Sequence, residues 1–87
     1  LAFRDINPQA PVHILLIPKT GRATLADCTD ADAQLLGKLQ LAAVKVAEQE
    51  GLRSFRTVIN CGTGAGQTVF HLHLHLIGGK DLSERMA

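Results

Sequence analysis

From Phe70 to Leu76, within a stretch running from Val69 to Ile77, apolar and polar positions alternate without a break, and histidine takes the polar position three times running. Strict alternation over this length predicts a β-strand, whose side chains point to opposite faces in turn. His71, His73 and His75 therefore fall on one face, and Phe70, Leu72, Leu74 and Leu76 on the other, which belongs against a core. A different period governs residues 29–50. Leu35, Leu36, Leu39, Ala42, Ala43, Val46 and Ala47 recur at helical spacing, while Lys38, Lys45 and Glu48 fall off the stripe. Thr29 with Asp32 three residues on gives an approximate capping box at the start, and Gly51 stands where a left-handed cap ends the helix.

Shorter apolar stretches complete the pattern. Residues 1–6 alternate weakly and predict a strand. Asn7 to Pro11 reads as a turn, and Val12 to Ile17, closed by Pro18, as a buried strand carrying His13. Lys19 to Cys28 is polar and irregular. Phe55 to Ile59 predicts another strand, Asn60 to Thr68 a glycine-rich loop, and Gly78-Gly79 breaks the histidine strand. The order β-β-α-β-β, with short connections between paired strands, predicts an α+β fold: an antiparallel sheet with one main helix packed on it. No repeat divides the 87 residues, which make a single domain.

Composition narrows the field only a little. The formal net charge of +1, without a basic run, argues against nucleic acid or a membrane surface as partner. No apolar run approaches the roughly 20 residues of a membrane helix. Cys28 and Cys61 lack C-x-x-C spacing, so a zinc ribbon or thioredoxin-type motif is absent, and free thiols in a reducing, cytoplasmic compartment are expected. The chain opens on Leu1 without methionine, inside an element, and an N-terminal part is expected to precede it.

A lone strand histidine is normally a satisfied polar group. Lining one face with three of the chain's four histidines serves no packing purpose. Metal binding fits the spacing poorly: at about 3.3 Å per residue, His71 and His75 lie about 13 Å apart, too far to share one ion. A site would need two of these plus His13 or a carboxylate from elsewhere. Nucleophilic chemistry uses all three, because neutral imidazole attacks phosphorus well and flanking histidines can bind phosphate oxygens or manage the leaving-group proton. The loop before them supports a phosphate. Gly62, Gly64 and Gly66 allow close backbone approach, and Asn60, Gln67 and Thr68 add hydrogen-bonding side chains.

His71-Leu72-His73-Leu74-His75-Leu76-Ile77 resembles the motif of the histidine-triad (HIT) superfamily, and residues 66–79 are most similar to its Hint (nucleotide-binding) branch. Residues 1–19 are similar to the segment entering that domain. The resemblance implies a homodimer whose sheet continues across the pair and which binds purine nucleoside monophosphates. Its activity would be hydrolysis of the P–N bond of purine nucleoside 5′-phosphoramidates. Carried over by position, His73 is the nucleophile that forms a nucleotidyl-histidine intermediate, and the backbone carbonyl of His71 orients its ring. His75, with Thr68 and Gln67, would contact phosphate or leaving group. Asn60 and the Gly66 amide would hold phosphate, His13 completes the histidine cluster, Asp5 would bind ribose hydroxyls, and Phe3 and Ile6 the nucleobase. No metal or other cofactor is implied.

Thr68 stands where serine is common in this branch, and the tail Lys80 to Ala87 lacks the tryptophan–proline ending typical of it. Within the superfamily the nearest rival is a dinucleoside polyphosphate hydrolase, disfavoured by Gly78-Gly79. A nucleotidyltransferase is disfavoured because its third histidine is replaced by glutamine, whereas His75 is intact. From other classes, a nucleotide-binding or protein-interaction module with vestigial hydrolysis would bind monophosphates without turnover, and a metal-binding domain would retain zinc after chelator washing.

Overall fold

Two prolines, a helix stripe and an alternating strand produce the architecture seen in a computed structural model, which describes residues 2–5, 10–19 and 21–80. Strand β1 (Ala2–Arg4) pairs antiparallel with β2 (Val12–Leu16), helix α1 (Ala33–Gln49) follows, and β3 (Phe55–Val58) and β4 (Leu74–Gly78) complete a sheet of order β1-β2-β4-β3. All pairings are antiparallel. The expected α+β class and order of elements are therefore present. The connection from β3 to β4 is long, not short, and the pair at the centre of the sheet, β2 with β4, joins strands on either side of the helix in sequence.

One face of the sheet takes the helix. Ile14 and Leu16 of β2 and Leu74 and Leu76 of β4 meet Leu39, Ala43 and Ala47, one residue per helical turn on α1. Leu74 and Leu76 have no solvent exposure. Burying each contributes about 1.5–3 kcal/mol, so this strip dominates the stability of a small domain. Two 3₁₀ turns precede the helix, at Leu25–Asp27 and Asp30–Asp32. The capping box expected at Thr29 closes the second: the Thr29 N–H donates to Asp32 Oδ2 at 2.9 Å. The α-helix itself begins only at Ala33. At the far end Gly51 has φ 72°, and the Leu52 N–H reaches back to the Ala47 carbonyl at 2.9 Å, closing a Schellman cap.

The histidine strand is shorter than its alternation predicts. Ladder pairing begins at Leu74, opposite Leu16 of β2, and at His75, opposite Val58 of β3. Both neighbours end there, β2 just before Pro18, so residues 69–73 have no strand partner among the described residues. The alternation nevertheless persists in burial, with Leu72 buried between half-buried His71 and His73. Phe70 is a correction: it lies beyond the core edge and is 51% exposed. Gly78 belongs to β4 and does not break it; a Cβ there would sit 2.9 Å from Leu52 Cδ1 and 3.2 Å from the Ser54 carbonyl oxygen. Ile6 of the strand expected over residues 1–6, residues 7–9 of the turn expected from Asn7 to Pro11, and the tail 81–87 lie outside the described residues.

Candidate active site

The sheet face turned away from α1 carries the imidazoles. Register places His75 opposite both Leu15 and Val58, with His13 opposite Ile77, so His13 and His75 are diagonal neighbours on that face. Their rings stand 5.1 Å apart between centroids, and those of His73 and His75 5.0 Å. Phe3, opposite Leu15, shares the same face. The Asp5 N–H donates to the His13 carbonyl at 2.8 Å, which carries the Asp5 side chain to the cluster.

Hydrogen-bond acceptors define where the ring protons sit. His73 Nδ1 lies 2.7 Å from the His71 carbonyl oxygen, which can only accept, so Nδ1 carries the proton and Nε2 keeps its lone pair. His71 Nε2 likewise donates to the Pro18 carbonyl at 3.1 Å. His13 Nε2 lies 3.4 Å from Asp5 Oδ2 and 2.8 Å from His75 Nδ1. A carboxylate beside Nε2 favours a proton there, and that proton is donated onto His75 Nδ1. Neutral His75 then carries its own proton on Nε2. The pair His73 and His75 thus combines a nitrogen lone pair with an N–H donor. Burial holds His75 below the ordinary imidazole pKa, His73 and His13 push the same way, and Asp5 opposes them.

A cleft of ≈ 410 Å³ opens beside these rings, lined among others by Phe3, Asp5, Leu15, Thr68, His73 and His75. The structure therefore gathers Phe3, Asp5, Thr68, His73 and His75 around one cavity, with His13 buried behind His75. The remaining expected site residues stand elsewhere. The His71 ring is spent on Pro18 and contributes its carbonyl. Asn60 is half-buried and does not line the cleft. The Gly66 N–H donates to the Thr63 carbonyl at 3.1 Å, and the Gln67 side chain turns inward. Ile6 lies outside the described residues. Sequence reasoning missed Leu15, Ile17 and Val69 as cleft walls. The β2–β4 register, had it been known, would have pointed to Leu15.

Asp5, His13 and His75 each offer a ligand atom, and these atoms lie within 4.8 Å of one another. Two nitrogens on one tetrahedral zinc stand about 3.3 Å apart, from bonds of about 2.0–2.1 Å. The 2.8 Å between His13 and His75 is a hydrogen-bond distance, so a metal would have to part the two rings and displace the shared proton. The free thiols Cys28 and Cys61 are not part of this cluster.

An antiparallel sheet presenting touching imidazoles to an open cleft defines a protein equipped for nucleophilic and acid–base chemistry. The chain belongs to the HIT domain family, whose domain matches residues 1–82. It is 56% identical to an uncharacterised HIT-like protein of Synechococcus elongatus, over 95% of this chain and 74% of that one. It is also 44% identical to the purine nucleoside phosphoramidase of Escherichia coli, over 99% of this chain and 74% of the relative. The solved structure of a HIT family hydrolase from Clostridium thermocellum superposes with a TM-score of 0.93 at 48% identity, covering 99% of this chain and 76% of that one. The likeness to HIT family hydrolases thus extends through sequence and fold.

Proposed function

We propose that this protein hydrolyses purine nucleoside 5′-phosphoramidates, releasing a nucleoside monophosphate and an amine. One observation carries the reading: the 2.7 Å bond from His73 Nδ1 to the His71 carbonyl, which leaves the Nε2 lone pair available beside a cleft. His73 Nε2 forms a bond to phosphorus as the P–N bond to the amine breaks. The departing electron pair on the amine nitrogen takes a proton from the imidazolium form of His75. Water then attacks phosphorus, the P–Nε2 bond breaks, the lone pair returns to His73, and the water proton returns to His75. An imidazole whose pKa is lowered is the stronger acid, which suits a poor leaving group. Phe3 and Leu15 provide an apolar wall for a base, and Asp5 is the candidate for the ribose hydroxyls. No step requires a metal or other cofactor.

The phosphoramidase name of the Escherichia coli relative supports the substrate class. In this reading the chain is a single HIT domain acting in the cytoplasm as a homodimer, with neither nucleic acid nor membrane as partner. The outer edge of β3 has no strand partner among the described residues, and Phe55 is exposed on it. No helix of the described residues is long and apolar enough to cross a membrane. Size-exclusion chromatography with light scattering tests the dimer. AMP release from adenosine 5′-phosphoramidate with chelator present tests the activity. Release by the intact chain and none by His73→Ala is expected; equal release by both would overturn the assignment of His73. Adenosine monophosphate binding without turnover would favour a binding module, and cleavage of dinucleoside polyphosphates in preference to phosphoramidates the rival hydrolase.

A second reading rests on the Asp5–His13–His75 cluster, which has the donor types of a zinc site. One zinc per chain retained through chelator washing, and lost in Asp5→Asn, would support it.

A further inference from the structure

Gln67 is 2% exposed although Gly66 and Thr68 on either side are exposed. Its carboxamide is fully engaged. Oε1 accepts from the Gly62 N–H at 2.8 Å, and Nε2 donates to the Ala23 carbonyl at 2.8 Å and the Val69 carbonyl at 3.0 Å. Its backbone N–H donates to the Gly62 carbonyl at 3.1 Å, so Gln67 and Gly62 exchange two bonds and close the glycine-rich loop on itself. Both amide hydrogens are used, and none remains for a ligand.

These bonds stand where the sheet gives out. Residues 67–72 approach the site without a strand partner among the described residues, yet they carry Thr68, Val69 and the His71 carbonyl. Three ties hold them against Pro18, Arg22 and Ala23: Gln67 Nε2 on the Ala23 carbonyl, the Leu72 N–H on the Arg22 carbonyl at 3.0 Å, and His71 Nε2 on the Pro18 carbonyl at 3.1 Å. Only the Gln67 tie also reaches the glycine-rich loop and Val69, a cleft wall. We infer that Gln67 is a positioning residue: it acts through Val69 and the loop to set the cleft wall and the His71 carbonyl that orients His73, and it does not touch the leaving group. The inference deepens the proposed hydrolysis and rests on it.

The two roles separate kinetically. A contact with the leaving group would lose different amounts for different amines, whereas a positioning residue loses the same factor for all. In Gln67→Met, which keeps length and apolar packing but makes none of the three bonds, kcat should fall between about tenfold and a hundredfold, the scale of a small misplacement. The factor should agree within about threefold for adenosine 5′-phosphoramidate and its tryptamine amide, with KM nearly unchanged. Unchanged kcat, or a loss confined to one amine, would overturn the inference. Amide hydrogen exchange on the unaltered chain provides a second test that needs no turnover or variant. Protection of Gly62 and Leu72 is expected; exchange of the Gly62 amide at the rate of an exposed loop would refute the clamp. Failure of the unaltered chain to cleave either amide while Gly62 stays protected would sink the proposed function instead.

Discussion

His13→Leu removes the buried donor behind His75 and leaves a side chain of similar bulk. In the native protein His13 is 5% exposed, and its Nε2 lies 2.8 Å from His75 Nδ1 and 3.4 Å from Asp5 Oδ2. The hydrogen bond itself is worth about 0.5–1.5 kcal/mol net, and an acceptor left without a partner about 1–3 kcal/mol. His75 is only half-buried, so water can partly replace the lost donor and the lower part of that range applies. Removing the donor therefore costs about 1–2 kcal/mol, equivalent to about fivefold to thirtyfold in rate if it is felt in the transition state. Loss of the donor also removes the influence of His13 that holds the His75 pKa down, so the pKa should rise and the acid weaken. Two assays read this: AMP release from adenosine 5′-phosphoramidate, and nitrogen-resolved NMR of the imidazole rings, which reports tautomer and titration. The expected result is a fall in kcat, a mixed tautomer at His75 and a higher His75 pKa. A variant with kcat within twofold of the native protein and an unaltered His75 spectrum would refute the claim that His13 organises His75.

Three further substitutions probe the frame beneath the site. Leu76→Ala empties the centre of the β4–α1 strip, and chemical denaturation should show a loss of about 2–5 kcal/mol, as for other buried leucines. Gly78→Ala forces a Cβ against Leu52 and the Ser54 carbonyl, and overpacking of that kind costs about 1–3 kcal/mol, read as a lowered denaturation midpoint. Asp32 tests the acid limb of stability. The Thr29 N–H holds its carboxyl below the ordinary value of 3.8, burial opposes, and Arg22 assists. A depressed folded-state pKa gives stability that is present above 3.8 and lost as pH falls through the folded value. Asp32→Asn should therefore be less stable at pH 7 and show a shallower loss in acid; an acid limb identical to the native one would contradict this.

The parts of the fold visible in the chain are those governed by local periodicity. Leu72, Leu74 and Leu76 alternate into the core, Leu39, Ala43 and Ala47 form the buried helix stripe, and Gly51 caps it. Strand pairing was hidden because it is not local. Nothing near His75 says that Leu15 and Val58 flank it, and the strand starts at Leu74 only because β2 and β3 end there. The site divides in the same way. Resemblance supplied the roles proposed for His73 and the His71 carbonyl, and the structure places His73 Nδ1 2.7 Å from that carbonyl oxygen. The Asp5–His13–His75 cluster depends on residues far apart in the chain meeting across the sheet. Gln67 illustrates the limit: a polar side chain in a glycine-rich loop reads as a ligand contact until its partners are known. Those partners, Ala23, Val69 and Gly62, come from three separate segments.

The proposed hydrolysis passes through a covalent bond at His73. In a single turnover with protein in excess over adenosine 5′-phosphoramidate, quenched early and examined by peptide mass spectrometry, the peptide spanning residues 69–79 should carry one adenylyl group on His73. AMP formed with no adduct at any time point, or an adduct on another histidine, would contradict nucleophilic attack by His73.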